Sequence, residues 1–252
     1  MSRQKLGQHF LIKGSILERI ATAACPSREP LIVEIGPGRG ALTEKLLKRA
    51  DRVIAIEIDP YLAEYLRGRF AGERRLEVVQ ADAMQIDFDL WQGAPVAGNL
   101  PYYVATPIIE AAVRRRTPRA VFLIQKEVAE RLAAAPGSRD YGYLSVATQL
   151  FAHVRVLFEV KPRAFHPPPK VDSAVILLEP RADAPPPREA EAFLRFIGRC
   201  FHQKRKTIRN NLAEAYGKEL VETWPEAGIR AEQIGLDGFK RMFARVSIES
   251  EP

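Results

Sequence analysis

From Leu31 to about Leu150 the chain repeats one pattern: a short β-branched run, then a longer stretch with apolar residues at helical spacing. The runs are LIVEI (31–35), VIAIEI (53–58), LEVVQ (76–80), PVAGN (95–99) and AVFLIQ (120–125). Runs this continuously apolar suit strands buried on both faces, and helical stretches between them supply crossovers, so the pattern predicts βαβ units on a parallel sheet. Leu42, Leu46 and Leu47 recur at helical spacing within ALTEKLLKRA, and Asp59-Pro60 offers an N-cap and a first-turn proline ahead of YLAEYLRGRF. The fold class is α/β.

After Arg139-Asp140-Tyr141-Gly142 the chain reads as a helix and then two candidate strands, HVRVLFEV (153–160) and VDSAVILLE (171–179), flanking a Pro-rich loop. Such a late pair can complete one edge of the sheet. The stretch ADAPPPR (182–188) reads as a linker, because three prolines favour an extended, non-helical chain. Residues 1–181 are therefore expected to form the sheet domain, and residues 189–252 a small all-helical one.

With 46% hydrophobic residues in 252, the chain can bury a sizeable core. Lys and Arg outnumber Asp and Glu by 38 to 31, a net charge of +7 that favours an anionic partner such as nucleic acid. The plainer reading is a basic solvated surface. Cys25 and Cys200 make no disulfide framework and share no metal-ligand spacing with the four histidines, which suits a reducing compartment. No run approaches the roughly 18 apolar residues of a membrane span. The start, MSRQKLGQHFL, lacks the apolar core of a secretory signal. The expectation is a cytoplasmic protein with no metal and no membrane partner.

Glu34-Ile35-Gly36-Pro37-Gly38-Arg39-Gly40 follows a predicted strand and opens a predicted helix. Glycines there permit a tight turn and a ligand approach closer than a Cβ allows. Alone the signal is weak: Gly36, Gly38 and Ala41 also fit a nicotinamide-binding loop, and a simple strand-to-helix turn would look the same. Glu57, near the end of the second run, can accept from both hydroxyls of a ribose, and Asp82, after the third, from an adenine amine. Both acids fall at the carboxyl edge where open α/β sheets bind ligands. Taken together, Glu34, the glycines, Glu57 and Asp82 resemble the S-adenosylmethionine-dependent methyltransferases built on a Rossmann-like sheet.

Asn99-Leu100-Pro101-Tyr102 resembles the (Asp/Asn)-x-Pro-(Tyr/Phe) motif of methyltransferases that modify exocyclic amines. An adenine N6 lone pair is delocalised into the ring, and acceptors that hold its hydrogens favour a more nucleophilic, tetrahedral nitrogen. The Asn99 side-chain oxygen and the Leu100 carbonyl are two such acceptors. Pro101 biases Leu100 to an extended conformation. Tyr102 offers a ring for stacking the base, worth about 1–3 kcal/mol, while Tyr103 is expected only to pack. Neither cysteine is placed for cytosine C5 chemistry.

Three further stretches resemble one family over nearly the whole chain: Gln8-His9-Phe10-Leu11, the run from Phe165 to Ser173 (FHPPPKVDS), and the basic run from Phe201 to Leu212 (FHQKRKTIRNNL). They are similar to the ribosomal RNA adenine N6-dimethyltransferases of the small-subunit type. The resemblance implies S-adenosyl-L-methionine as cofactor and transfer of two methyl groups to N6 of each of two adjacent adenosines. These lie in the 3′-terminal hairpin of 16S rRNA, within the 30S subunit precursor, and a monomer is expected. It assigns cofactor contacts to His9, Leu11, Gly36, Gly38, Glu57, Asp82 and Asn99, although the family more often has Asn where His9 stands. It places Asn99, Leu100, Pro101 and Tyr102 at the reacting base, with Phe165 facing Tyr102 across it. Read without the family, Phe165 is a core residue. Lys204, Arg205, Lys206 and Arg209 are expected on one basic helix facing RNA, and Arg114, Arg115, Arg116 and Arg119 form a second run. His166 and His202 are left as ordinary loop or surface residues. Two rivals remain: a 23S rRNA adenine N6-methyltransferase, and a nucleic-acid-binding factor that keeps the fold without catalysis.

Overall fold

A computed structural model describes residues 9–85 and 93–249; Gln8 of the Gln8–Leu11 element lies outside them. In chain order the elements begin with β1 (Phe10–Leu11), α1 (Gly14–Ala24), β2 (Ile32–Ile35), α2 (Ala41–Leu46), β3 (Val53–Glu57), α3 (Pro60–Arg69) and β4 (Leu76–Gln80). Next come β5 (Val96–Asn99), α4 (Ala105–Arg114), β6 (Ala120–Gln125), α5 (Lys126–Ala133), α6 (Tyr143–Gln149), β7 (Ala152–Val160), β8 (Phe165–His166) and β9 (Ser173–Pro180). The last are α7 (Pro187–Cys200), α8 (Ile208–Tyr216), α9 (Lys218–Glu222) and α10 (Leu236–Glu249). No helix among the described residues is long and apolar enough to cross a membrane.

All seven runs read as strands pair into one sheet, in the order β4-β3-β2-β5-β6-β9-β7. The first five are parallel; β9 runs antiparallel to β6, and β7 antiparallel to β9. The central strands β2 and β3 are buried at every position, as continuous apolar runs require. The edge strand β7 instead exposes His153, Arg155 and Glu159 and carries a register shift between Val156 and Phe158, features that discourage pairing with another chain. The strand order reverses between β2 and β5, and that switch point is where a sheet of this kind opens a crevice at its carboxyl edge. The α3 cap is as the sequence suggests: Asp59 Oδ1 accepts from the N–H groups of Tyr61 at 2.8 Å and Leu62 at 3.4 Å, with Pro60 in the first turn.

The chain packs into two compact units, one from Met1–Ala129 with Ala152–Pro180, the other from Glu130–Phe151 with Arg181–Pro252. The first holds the sheet, with Leu17, Ile20 and Ala21 of α1 and Leu42 and Leu46 of α2 in its core. In the second, the rings of Phe201 and Phe239 lie 5.6 Å apart and those of Phe193 and Phe243 5.5 Å. This division differs from the one expected at residues 181–189. Residues 130–151 are drawn into the helical unit by local contacts: the Tyr141 ring meets Phe201 edge-on at 6.2 Å, and the Gly137 N–H donates to the Glu232 carbonyl at 2.7 Å. The proline-rich stretch also differs from a free linker. Its Asp183 accepts from Arg181 and Lys240, which hold its carboxyl well below the usual carboxylate range, and α7 already begins at Pro187.

Candidate active site

The turn from β2 into α2 uses its glycines as expected: Gly36, Gly38 and Gly40 have φ of 68°, 57° and 80°, a region that L side chains rarely adopt. The Gly38 position is also crowded. A Cβ there would lie 2.9 Å from Cε1 of Phe10, so β1 lies against the glycine loop. The Arg39 guanidinium sits over the same Phe10 ring, 4.9 Å from its centroid, and the Arg39 carbonyl accepts from Arg69. Sequence reading named neither contact, because nothing in the spacing of residues 10 and 38 announces it.

Three acids line the cavity at the ends of β2, β3 and β4. Glu57 is 3% exposed; its Oε2 accepts from the Gly38 N–H and its Oε1 from the Asp59 N–H, each at 3.0 Å. Burial pushes its carboxyl above the ordinary range, against those hydrogen bonds. Each oxygen keeps a lone pair for a ligand hydroxyl. Glu34 is 1% exposed and accepts the Thr43 hydroxyl at 2.6 Å; burial pushes it up to about 8, the Thr43 bond opposes this, and the Glu57 charge adds to it. No ion pair joins Glu34 or Glu57 to a described residue. Asp82 is half-buried, with Oδ1 fixed by the Met84 N–H at 2.9 Å. Carboxyl oxygens with unused lone pairs, beside a glycine cradle, fit a ligand that brings hydroxyl and amine hydrogens to a close backbone approach.

Asn99 through Val104 line the same cavity, together with His9, Leu11 and Phe165. Asn99 donates from Nδ2 to the His9 carbonyl at 2.9 Å, and its Oδ1 takes no hydrogen bond from a described residue. The Leu100 N–H is tied to the Leu123 carbonyl of β6 at 3.1 Å, and its side chain is buried. The Tyr102 hydroxyl is hydrogen-bonded to Ser173 Oγ at 3.0 Å, and burial raises its ionisation above the ordinary value. Ser173 stood in the FHPPPKVDS match, but sequence reading gave it no role. Phe165 is 4% exposed and pairs with Leu11 across the two-stranded β1-β8 sheet. It belongs both to the hydrophobic core and to the cavity wall. Tyr103 departs from expectation: it is 59% exposed at the cavity rather than packed. The chain leaves β5 here as a turn, which carries that ring outward.

The basic run is also corrected. Lys204, Arg205 and Lys206 lie on a turn between α7 and α8, and only Arg209 is helical. Asn211 reaches back from α8 to hold the turn, accepting from the Gln203 N–H at 3.1 Å and donating to the carbonyls of Cys200 and Gln203. All four basic residues are exposed; Lys204 donates to the Arg139 carbonyl at 2.8 Å, and Arg209 lies 3.7 Å from Glu222. In the other run, Arg119 is engaged by Glu179 at 2.6 Å and the Ala23 carbonyl at 3.2 Å. Cys25 and Cys200 are buried and their thiols are pushed upward, Cys25 to about 12, so neither is a nucleophile.

Residues 1–234 match the family model described as ribosomal RNA adenine dimethylase. The chain is 38% identical over 262 residues to the ribosomal RNA small subunit methyltransferase A of Pseudomonas fluorescens, covering 100% of this chain and 96% of the relative. It is 42% identical to the protein of that name from Bordetella bronchiseptica, over 94% of this chain and 91% of the relative. Among solved structures, a dimethyladenosine transferase from Plasmodium falciparum superposes with a TM-score of 0.82 at 26% identity, over 96% of this chain and 98% of the other. The 23S rRNA methyltransferase ErmE superposes at 0.73 with 28% identity, over 94% and 99%.

Proposed function

Because the chain belongs to the ribosomal RNA adenine dimethylase family, we propose that it transfers methyl groups from S-adenosyl-L-methionine to N6 of adenosine in ribosomal RNA, forming N6,N6-dimethyladenosine. The substrate in this reading is the pair of adjacent adenosines in the 3′-terminal hairpin of 16S rRNA, met within the small-subunit precursor by a cytoplasmic monomer. The small-subunit name borne by relatives at 38–42% identity favours it over a 23S substrate.

The cofactor supplies an electrophilic methyl on a sulfonium. The residues that would hold it are Gly36 and Gly38, whose missing Cβ atoms would leave room for close approach, Glu57, which would accept from the ribose hydroxyls, Asp82, which would accept from the adenine amine, and His9 and Leu11 of the cavity wall. The observation that carries the reading is the Asn99 amide: with Nδ2 committed to the His9 carbonyl, Oδ1 is the atom left to accept an N6–H. The Leu100 carbonyl takes the second hydrogen, held in place by the bond from its own N–H to β6. Tyr102, fixed at its hydroxyl by Ser173, and Phe165 flank the extruded base. Catalysis then rests on alignment and electrostatics, and the nitrogen sheds its proton after transfer. The exposed turn carrying Lys204, Arg205 and Lys206, with Arg209, meets RNA phosphates.

Methyl-labelled cofactor incubated with unmodified 30S and 50S particles tests the assignment. Label is expected in 30S alone, recovered as dimethyladenosine by mass analysis. Label confined to 50S would transfer the assignment to the 23S reading, and RNA binding with no label in either would favour the non-catalytic factor.

A further inference from the structure

Asn99 and Tyr102 of the cavity wall and Pro167 behind it meet at one residue. The His9 carbonyl accepts from Asn99, the His9 ring stands 5.9 Å from the Tyr102 ring at an interplanar angle of 34°, and His9 Nδ1 is 2.8 Å from the Pro167 carbonyl. A carbonyl only accepts, so Nδ1 carries the proton and donates. Pro167 lies two residues beyond Phe165, on the segment that pairs with β1 through Phe10 opposite His166 and Leu11 opposite Phe165.

We propose that His9 is a positioning residue for methyl transfer: its ring, anchored to Pro167, places its own carbonyl so that the Asn99 amide can present only oxygen to the substrate amine. The proposal rests on the N6 reading above. An amide side chain has two faces of opposite character, and a half-turn about its last bond would aim an N–H at the N6 hydrogens. The His9 carbonyl forbids that half-turn, because it would then meet the Asn99 oxygen. This role is distinct from a cofactor contact, since it acts through Asn99 on the acceptor side of the reaction. Asparagine at this position would keep the anchor: in both residues a nitrogen is bonded directly to Cγ, so asparagine can put an N–H where Nδ1 stands and reach the same Pro167 carbonyl.

The test compares His9→Ala with His9→Asn. At saturating cofactor, His9→Ala is expected to lower kcat about tenfold to a hundredfold, the scale of a small misalignment of reacting groups. Loss of the His9 ring from the cofactor's wall can raise the Kd for S-adenosylhomocysteine measured by calorimetry, but kcat at saturating cofactor should stay reduced, and His9→Asn should recover most of the rate. A second readout needs no activity. The chain has three asparagines, Asn99, Asn210 and Asn211, so selective 15N labelling resolves the Asn99 side-chain amide. Its hydrogens should exchange faster in His9→Ala and at the wild-type rate in His9→Asn. An unchanged kcat in His9→Ala with only a raised cofactor KM overturns the proposal, as does an asparagine variant no better than alanine. If the wild-type protein places no methyl on adenosine N6, the functional reading falls, while the amide exchange still decides whether His9 sets Asn99.

Discussion

The cavity at the sheet edge and the basic turn of the helical unit are built on opposite principles. In the cavity, polar groups are buried or half-buried and tied to neighbouring elements by hydrogen bonds: Glu57 holds Gly38, Thr43 holds Glu34, Ser173 holds Tyr102, and the His9 carbonyl holds Asn99. In the basic turn the charges stand in solvent, with Lys204 resting on the Arg139 carbonyl and the backbone beneath them held by Asn211. The contrast follows from what each region must recognise. A reacting amine needs acceptors aligned beforehand at low reorganisation cost, whereas phosphates reward charge density and tolerate loose geometry. Substitutions should therefore fail in different ways in the two places.

The largest expected effect is on the reaction. Asn99→Ala removes the oriented acceptor and should lower methyl transfer by about 10²–10³-fold, the usual scale for losing one preorganised hydrogen-bonding group. RNA affinity and its salt dependence should stay near wild type, measured by label transfer beside filter binding. Turnover that survives this change would mean the cavity is not organised around an amine, and the contrast with the basic turn would lose its chemical basis.

Next in size is a change to the wall itself. A Cβ on Gly98 would lie 2.4 Å from the Ile35 carbonyl oxygen in the neighbouring strand β2, where backbone leaves no side chain to move aside. Gly98→Ala should destabilise the protein by about 1–3 kcal/mol, the range for overpacking a tight core. Urea unfolding followed by circular dichroism reads this as a lower midpoint. An unmoved midpoint would show slack between β2 and β5, directly beneath the Asn99 turn, and would weaken the picture of a rigid wall.

The parts that could be read from sequence were those carried by local pattern. Strands announce themselves as short β-branched or apolar runs, and all seven of the large sheet were found. The glycine turn, Glu57, Asp82 and Asn99 were legible because each ends or follows a strand, and a parallel sheet brings strand ends to one edge. What holds them was not legible. His9 and Asn99 are 90 residues apart, and Tyr102 and Ser173 are 71, and no periodicity links such pairs. Gly98 read as an ordinary strand residue because its constraint comes from a carbonyl on another strand. The basic run was read as helix since its residues suit one, yet Thr207 is extended, with φ −73° and ψ 165°, and the helix starts only after it. The boundary at residues 130–151 escaped for a related reason, because its cause is the packing of Tyr141 on Phe201, 60 positions along the sequence.

The smallest expected effect belongs to the basic turn, and it separates the regions most directly. Lys204→Ala combined with Arg205→Ala removes two exposed charges while leaving the Asn211 bonds to the backbone in place. Stability should hardly change, because substitutions at exposed positions of this kind usually stay within about 0.5 kcal/mol. The effect should appear in RNA binding, where each lost phosphate contact flattens the dependence of log affinity on log salt by about 0.7 for single-stranded RNA, or ~1.4 for the pair. Arg209→Ala should do less than either, since Glu222 already lies 3.7 Å from its guanidinium and offsets part of its field. Titrating binding against salt for the double variant and for Arg209→Ala orders the three contributions. A double variant with the wild-type slope would take the turn out of the RNA interface, leaving its exposed charge as nothing more than a solvated surface.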